Sequence, residues 1–319
     1  MTKIMLNRPP KRGPWGGGGH FITALHDYLI EKGYEVVLGL QEGIDVIFMF
    51  DPRPSSGLDC VNSIYQYKLR YPGTKIIQRI NDTDIARPLD RPWRVQALLE
   101  SNKIADHTVF ISEWVKNHYV ERGYNPKKPN TVIINGCNQD WYFPISEKKL
   151  DRSNIRLITH HWSDNYMKGF DLYHYIDKIV ENHENISFTY MGRYNKKDHD
   201  PKNSLIIEPK YGPEIGDVLR SHDIYVTAAR WEACGMHHIE GSACGLPVIY
   251  HSSGGAIPEV CRNHGVEFSS LEEFLPSLRK AIEDYESIRS RIDYDYLSMS
   301  RCCQEYENVI KNLIGNRIS

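Results

Sequence analysis

The feature that most limits the fold is a regular exchange, sustained along the chain, of short β-branched runs with stretches of helical period. In the first half the strand-like runs fall at 3–6, 35–38, 45–50, 75–80, 107–111 and 131–134. Between them, Phe21, Leu25, Tyr28 and Leu29 recur at helical spacing and lead to Gly33, a residue suited to a C-cap. Ser112 is placed to cap a helix that runs to Arg122 and stops at Gly123. The second half repeats the exchange, with strands expected at 156–159, 186–190, 205–207, 224–227 and 247–250. Strand and helix taking turns predict an α/β fold with parallel sheets covered on both faces.

Length sets the domain count. At 319 residues the chain exceeds what one core usually fills, so two domains of roughly 150 residues are expected. The polar stretch 140–154, which contains Pro144, reads as the linker, giving domains at 1–145 and 146–319. A last helix, about 294–315, carries Cys302, Tyr306, Val309 and Leu313 on one stripe and could pack back across the first domain. Two doubly wound domains would face a central cleft with the carboxyl ends of their strands, where ligands bind.

Charge and cysteines exclude several classes. Net charge is −2, so no global field recruits nucleic acid, and an anionic ligand needs a local arrangement. The seven cysteines are odd in number and show no CxxC spacing, which favours a reducing cytoplasm over a disulfide framework. The apolar run at 46–50 is too short to span a bilayer and the start lacks a signal-peptide pattern. Membrane association would be peripheral at most.

Chemistry concentrates in residues 231–260, "WEACGMHHIEGSACGLPVIYHSSGGAIPEV". A helix is expected over 234–244, closed by Gly245, with Glu232 just before it and Glu240 within it. Backbone N–H groups near Gly235 and Met236 would then form an anion site. Continuous helix between Cys234 and Glu240 would part the two carboxylates by about 9 Å. A nucleotide sugar has hydroxyls at both ends and a diphosphate between them, which suits that spacing. The plainer reading is two solvated charges on a surface helix.

The string resembles the signature of family 4 of the retaining, GT-B-fold glycosyltransferases. Glu232, seven intervening residues, Glu240, then Gly245-Leu246-Pro247-Val248 and Gly254-Gly255-Ala256-Ile257-Pro258-Glu259 stand in that family's order. "IADHTVFISEWVKNHYVERG", "VIINGCNQDWYFP" and "MKGFDLY" are similar to its other segments, so the likeness covers nearly the whole chain. It implies GT-B architecture, two Rossmann-like domains, an acceptor-side first domain and a donor-binding second one. The implied activity is transfer of a hexosyl group from a nucleoside-diphosphate sugar to an acceptor hydroxyl, with retention of configuration.

The resemblance also assigns roles. Glu232 would orient the donor sugar and Glu240 the ribose, while Lys168 would neutralise the departing diphosphate. The loop "RGPWGGGGHF" does not fit a dinucleotide fingerprint, and Gly16, Gly17, Gly18 and Gly19 would instead let the backbone approach the donor. Family members usually carry an arginine about five residues before the lysine, where Ser163 stands here. Arg193, Arg230 or a histidine such as His161 are the candidates to replace it. No histidine occupies the segment "QRINDTDI", so Asn81, Asp82 or Asp84 are candidate sugar contacts, with turn-capping an equal explanation. The pairs His160–His161 and His237–His238 lack HExxH spacing and read as core histidines, so no metal site is expected. No cofactor is required, although a loosely held divalent cation on the diphosphate stays open. The acceptor would be a glycan, a lipid or a protein glycan. The donor would be a GDP-hexose such as GDP-mannose, or UDP-glucose. The alternatives are a nucleotide-sugar epimerase of the same fold, a catalytically silent sugar-nucleotide-binding protein, and an NAD-dependent oxidoreductase, which the missing fingerprint disfavours.

Overall fold

A computed structural model describes residues 1–13, 16–50, 59–83, 85, 93–194 and 200–315. Asp84 lies outside them. The chain divides into two compact units, Met1–Asn135 with Met299–Ser319, and Gly136–Ser298.

In the first unit the elements run β1 (Lys3–Leu6), α1 (Gly17–Glu31), β2 (Glu35–Val37), β3 (Val46–Met49), α2 (Val61–Arg70), β4 (Lys75–Ile80), α3 (Arg94–Ser101), β5 (His107–Phe110), α4 (Glu113–Val120) and β6 (Asn130–Val132). The strands form one parallel sheet in the order β2-β1-β3-β4-β5-β6. Every residue of β3 is buried, as a strand covered on both faces requires. Gly33 has φ +82°, and the Tyr34 amide reaches back to the Leu29 carbonyl at 3.0 Å, so the glycine stop closes α1 as expected. Ser112 caps α4 by accepting from the Val115 amide at 3.0 Å.

The second unit runs β7 (Ile155–His161), α5 (Phe170–Glu181), β8 (Ile186–Gly192), β9 (Leu205–Ile207), α6 (Pro213–Arg220), β10 (Ile224–Thr227), α7 (His237–Ala243), β11 (Val248–His251), α8 (Ile257–Cys261), β12 (Gly265–Phe268), α9 (Leu271–Glu283) and α10 (Tyr285–Arg289). Its parallel sheet has the order β12-β11-β10-β7-β8-β9. Strand β12 goes beyond the expectation: a four-residue run after the polar "CRNHG" carries little pattern. Leu157, Phe170, Tyr173, Phe188, Val226 and Phe268 belong to this unit's core.

Helix α11 (Met299–Ile314) returns to the first unit. Tyr306 lies 4.9 Å from the Phe21 ring and accepts from Arg79 Nε at 2.9 Å, while Glu307 accepts from the hydroxyls of Tyr28 and Tyr34. The stretch expected to be a linker is instead bound into the second unit. Trp141 gives its carbonyl to Arg220 at 2.8 Å, Ile145 gives its own to Arg289 at 2.9 Å, and Lys148 pairs with buried Asp223 at 3.5 Å. Cys137, joined to Leu297 by a 2.9 Å backbone bond, brings the first unit's end to Asn135 rather than 145.

Candidate functional site

In the second sheet the strand order reverses between β7 and β10, and the carboxyl end beside such a reversal is where open α/β sheets take ligands. Register aligns His161 of β7 with Gly192 of β8, and Thr227 of β10 with Tyr250 of β11. The chain leaving β10 passes through Trp231, whose φ of +53° is costly for a bulky side chain. Three backbone bonds hold that conformation: Trp231 N to Ser253 O at 2.8 Å, Glu232 N to Gly254 O at 3.3 Å, and Ala256 N to Glu232 O at 2.8 Å. Gly255, at φ +68°, is required there, because a Cβ would fall 2.4 Å from the Glu232 carbonyl oxygen. Gly235 lies against the carboxyl group itself, and a Cβ on it would come within 2.9 Å of the Glu232 carboxyl carbon. The glycines of the motif therefore form a clamp on one glutamate.

Lys168 ends a short 3₁₀ turn, Tyr166–Lys168, capped by Asn165, whose side chain accepts from the Met167 amide at 3.0 Å. Gly169 follows at φ +84°, pressed so closely on Ala228 that a Cβ would sit 2.3 Å from the alanine Cβ. That contact brings Lys168 Nζ onto Glu232 Oε2 as an ion pair, each side chain 18% exposed. His237 Nε2 stands 3.8 Å from the same oxygen. Burial alone would raise the Glu232 pKa, but Lys168 and His237 outweigh it and hold the group well below the carboxylate range. Glu232 is thus an anion at neutral pH and fitted to accept hydrogen bonds.

Histidines line the floor. His160 Nε2 bonds Glu240 Oε2 at 2.7 Å, and His161 Nε2 bonds the Tyr173 hydroxyl at 2.6 Å. His237 Nδ1 lies 3.1 Å from the Tyr225 hydroxyl, and its ring centroid is 4.7 Å from that of His161. Burial lowers His237 to about 4, with the Lys168 charge adding to it, and takes His161 and His238 well below the ordinary value. The buried nitrogens His160 Nδ1, His161 Nδ1, His237 Nε2 and both of His238 have no hydrogen-bond partner among the described residues. No group of three or more His, Cys, Asp or Glu side chains is placed to hold a metal ion among the described residues.

The expected helix start is corrected. Helix α7 begins at His237 with Met236 as its N-cap, because the backbone from Trp231 to Glu232 is drawn into the bridge to Gly255. The run from Cys234 to Glu240 is not continuous helix, so the separation expected from helical rise does not apply. Glu240 is buried against His160 rather than solvated. Arg230 is committed to Asp171 by two bonds of 3.1 and 2.6 Å, while the exposed Arg193 stacks 4.2 Å from the Trp162 ring. In the first unit Gly16 is the N-cap of α1, and Gly17, Gly18 and Gly19 form its first turn. A Cβ on Gly18 would lie 3.8 Å from the Asn81 amide nitrogen. Asp82 is engaged by Arg94 and by the Thr83 amide at 2.8 Å. Sequence reasoning had left His160 and His237 in the core. Their signal was position: His160 near the end of a strand entering the site, and His237 five residues after Glu232 at a helix start.

Comparison with known proteins gives the same region a family. Residues 165–296 match the model of the glycosyl transferases group 1. A probable sucrose-phosphate synthase of Thermosipho melanesiensis is 23% identical over 259 residues, 71% of this chain and 60% of the relative. The chain thus spans about three fifths of the length of the curated relatives it matches. Sucrose-phosphate synthase from Thermosynechococcus elongatus superposes with a TM-score of 0.71 at 12% identity, covering 98% of this chain and 99% of that one. Anabaena Alr3699/HepE in complex with UDP-glucose gives 0.71 at 14% identity, over 98% and 100%. The fold is the GT-B architecture of two Rossmann-like units.

Proposed function

Taking the chain as a member of the group 1 glycosyl transferases, we propose that it is a retaining hexosyltransferase that moves a hexosyl group from a nucleoside-diphosphate sugar to an acceptor hydroxyl. The observation that carries this reading is the clamped Glu232 paired with Lys168 at the sheet's switch point. An ionised, fixed carboxylate accepts hydrogen bonds from hexose hydroxyls. A lysine beside it faces the phosphate that gains charge as the glycosidic bond breaks, and such fixed charges are commonly worth 10²–10³ in rate, about 3–4 kcal/mol. Glu240, oriented by His160, takes the ribose hydroxyls, and the amides of Gly235 and Met236 serve the diphosphate.

No acid–base pair is required. The acceptor hydroxyl attacks from the face the diphosphate leaves, and its proton passes to the leaving phosphate oxygen. Glu232, held ionised by Lys168, is unsuited to donate a proton at neutral pH. UDP-glucose is the first donor to try, because it is the ligand in the HepE structure of the same fold, with GDP-mannose next. The acceptor is a glycan or glycoconjugate hydroxyl.

The test is incubation with radiolabelled UDP-glucose and GDP-mannose, with and without oligosaccharide and glycolipid acceptors. Transfer or slow release of free hexose is expected for one donor. Epimer formation, or tight binding with neither transfer nor hydrolysis, would refute the reading.

A further inference from the structure

The charges at the site leave a deficit. Lys168 is balanced by Glu232, Arg230 is taken by Asp171, and Arg193 is exposed and stacked on the Trp162 ring. A donor diphosphate brings two negative charges to this place. The remaining groups able to gain charge inside it are histidines, and one of them is oriented for the purpose.

We propose that His237 takes up a proton from solvent when the diphosphate of the donor binds, and so becomes the second cation beside Lys168. The inference rests on the proposed donor and goes beyond it by assigning this residue a role in diphosphate binding. His237 is 8% exposed, with Nε2 unpartnered and directed toward the Lys168–Glu232 pair. The neighbours suit the protonated ring: Nδ1–H donates to the Tyr225 oxygen at 3.1 Å while the tyrosine hydroxyl donates to the His160 carbonyl at 3.3 Å. Nε2–H is then free to donate to a phosphate oxygen.

The groups facing the ring decide when that happens. Glu232, from the loop, favours the imidazolium. Lys168 from the 3₁₀ turn opposes it, as do His160 and His161 from β7 if charged, and burial opposes it most. Tyr225 of β10 is neutral, its phenol pushed far up by burial, and His238 on the same helix is driven neutral by burial. Burial therefore keeps His237 neutral, lowered to about 4. Raising it to near 7 requires the diphosphate to bind the imidazolium form ~10³ more tightly than the neutral one. Contact between that cation and a phosphate at an effective dielectric of about 20 is of that size. His161, 4.7 Å away, stays neutral because the two rings cannot both charge.

The experiment is calorimetric titration of the whole chain with UDP-glucose, and in parallel GDP-mannose, in buffers of different ionisation enthalpy. A sugar diphosphate diester has no phosphate group that titrates near neutrality, so proton uptake reports the protein. About one proton per UDP-glucose is expected at pH 6, and Kd should tighten roughly tenfold per pH unit from about 7 downward. His237→Asn should still bind, with uptake abolished and a flat pH profile, while His161→Asn keeps the uptake. In the unaltered protein, the imidazole ¹⁵N shifts of His237 should move to imidazolium values on adding UDP-glucose, a readout that does not depend on how the variants fold. Binding without uptake, or uptake unchanged in His237→Asn, overturns the inference and leaves the transferase reading standing. Failure of both sugars to bind overturns both.

Discussion

The two units each carry a strand-order reversal, and they use it differently. In the first sheet it lies between β1 and β3, and Asn7, just past β1, is fully buried there. Its side-chain oxygen accepts from the Phe50 backbone N–H at 2.7 Å, and its backbone N–H donates to the Phe48 carbonyl at 3.1 Å. In the second sheet the reversal lies between β7 and β10, and the same position holds His160, His161 and, one loop on, Glu232. One reversal is stitched by a neutral amide that satisfies the backbone. The other holds buried charge and unpartnered ring nitrogens. A shared topology thus gives two similar reversals whose side chains differ in charge.

The sharpest way to break this contrast is kinetic. Glu232→Gln should lower transfer by about 10³ while UDP-glucose still binds, since the amide keeps the shape and loses the charge. Asn7→Ala should leave turnover per folded molecule close to the parent's. Equal kinetic losses in both would erase the distinction.

Next come two glycines with nearly the same backbone. Gly169 has φ +84° and Gly33 has φ +82°, yet a Cβ on the first meets Ala228 and on the second meets nothing within 4 Å. Gly169→Ala should cost about 3–4 kcal/mol in denaturant unfolding, against about 1 kcal/mol for Gly33→Ala, which carries only the left-handed penalty.

Acid should separate the units as well. Burial lowers His161, His222, His237, His238, His251 and His264 in the second unit, against His107 in the first among the described residues with a resolved shift. A histidine whose folded value is depressed binds fewer protons than its unfolded form. Its contribution is whole above about 6.5 and is lost as pH falls toward the folded value, about 4 for His237. The full shift is on the order of 3 kcal/mol from His237 alone. Hydrogen exchange read by peptide should therefore rise first in 136–298 between pH 6.5 and 4, and His237→Asn should flatten the slope. Asn7→Ala should cost about 2 kcal/mol for the orphaned Phe50 amide, seen as a lower midpoint without pH dependence over that range.

Much of the fold was legible because parallel strands buried on both faces read as apolar runs, and glycine stops such as Gly33 and Gly123 have a steric cause. Strand β12 was not, since "GVEF" after a polar stretch has too little pattern to stand alone. The start of α7 was misplaced because a tertiary event, the pairing of Glu232 with Gly255, overrides local helix preference from Cys234 to Met236. Within the site, the spacing of Glu232, Glu240 and Lys168 could be read from the string. That Lys168 would meet Glu232, or that Glu240 would meet His160 from eighty positions away, is a fact of register between strands and has no local signature. The assignment of Asn81 and Asp82 was ambiguous for a similar reason, as Arg94 reaches Asp82 from a separate helix.

The path of the backbone has a consequence for synthesis. The second unit is one uninterrupted stretch, closed near its start and at its end by the bridge of Cys137 with Ser298, whereas in the first unit α11 covers Phe21 and Phe48. On the ribosome, residues 136–298 emerge complete while residues 1–135 still await their final layer. The later-made half can be finished before the earlier-made one, and the nascent chain must hold its opening sheet half-covered until residues 299–314 arrive.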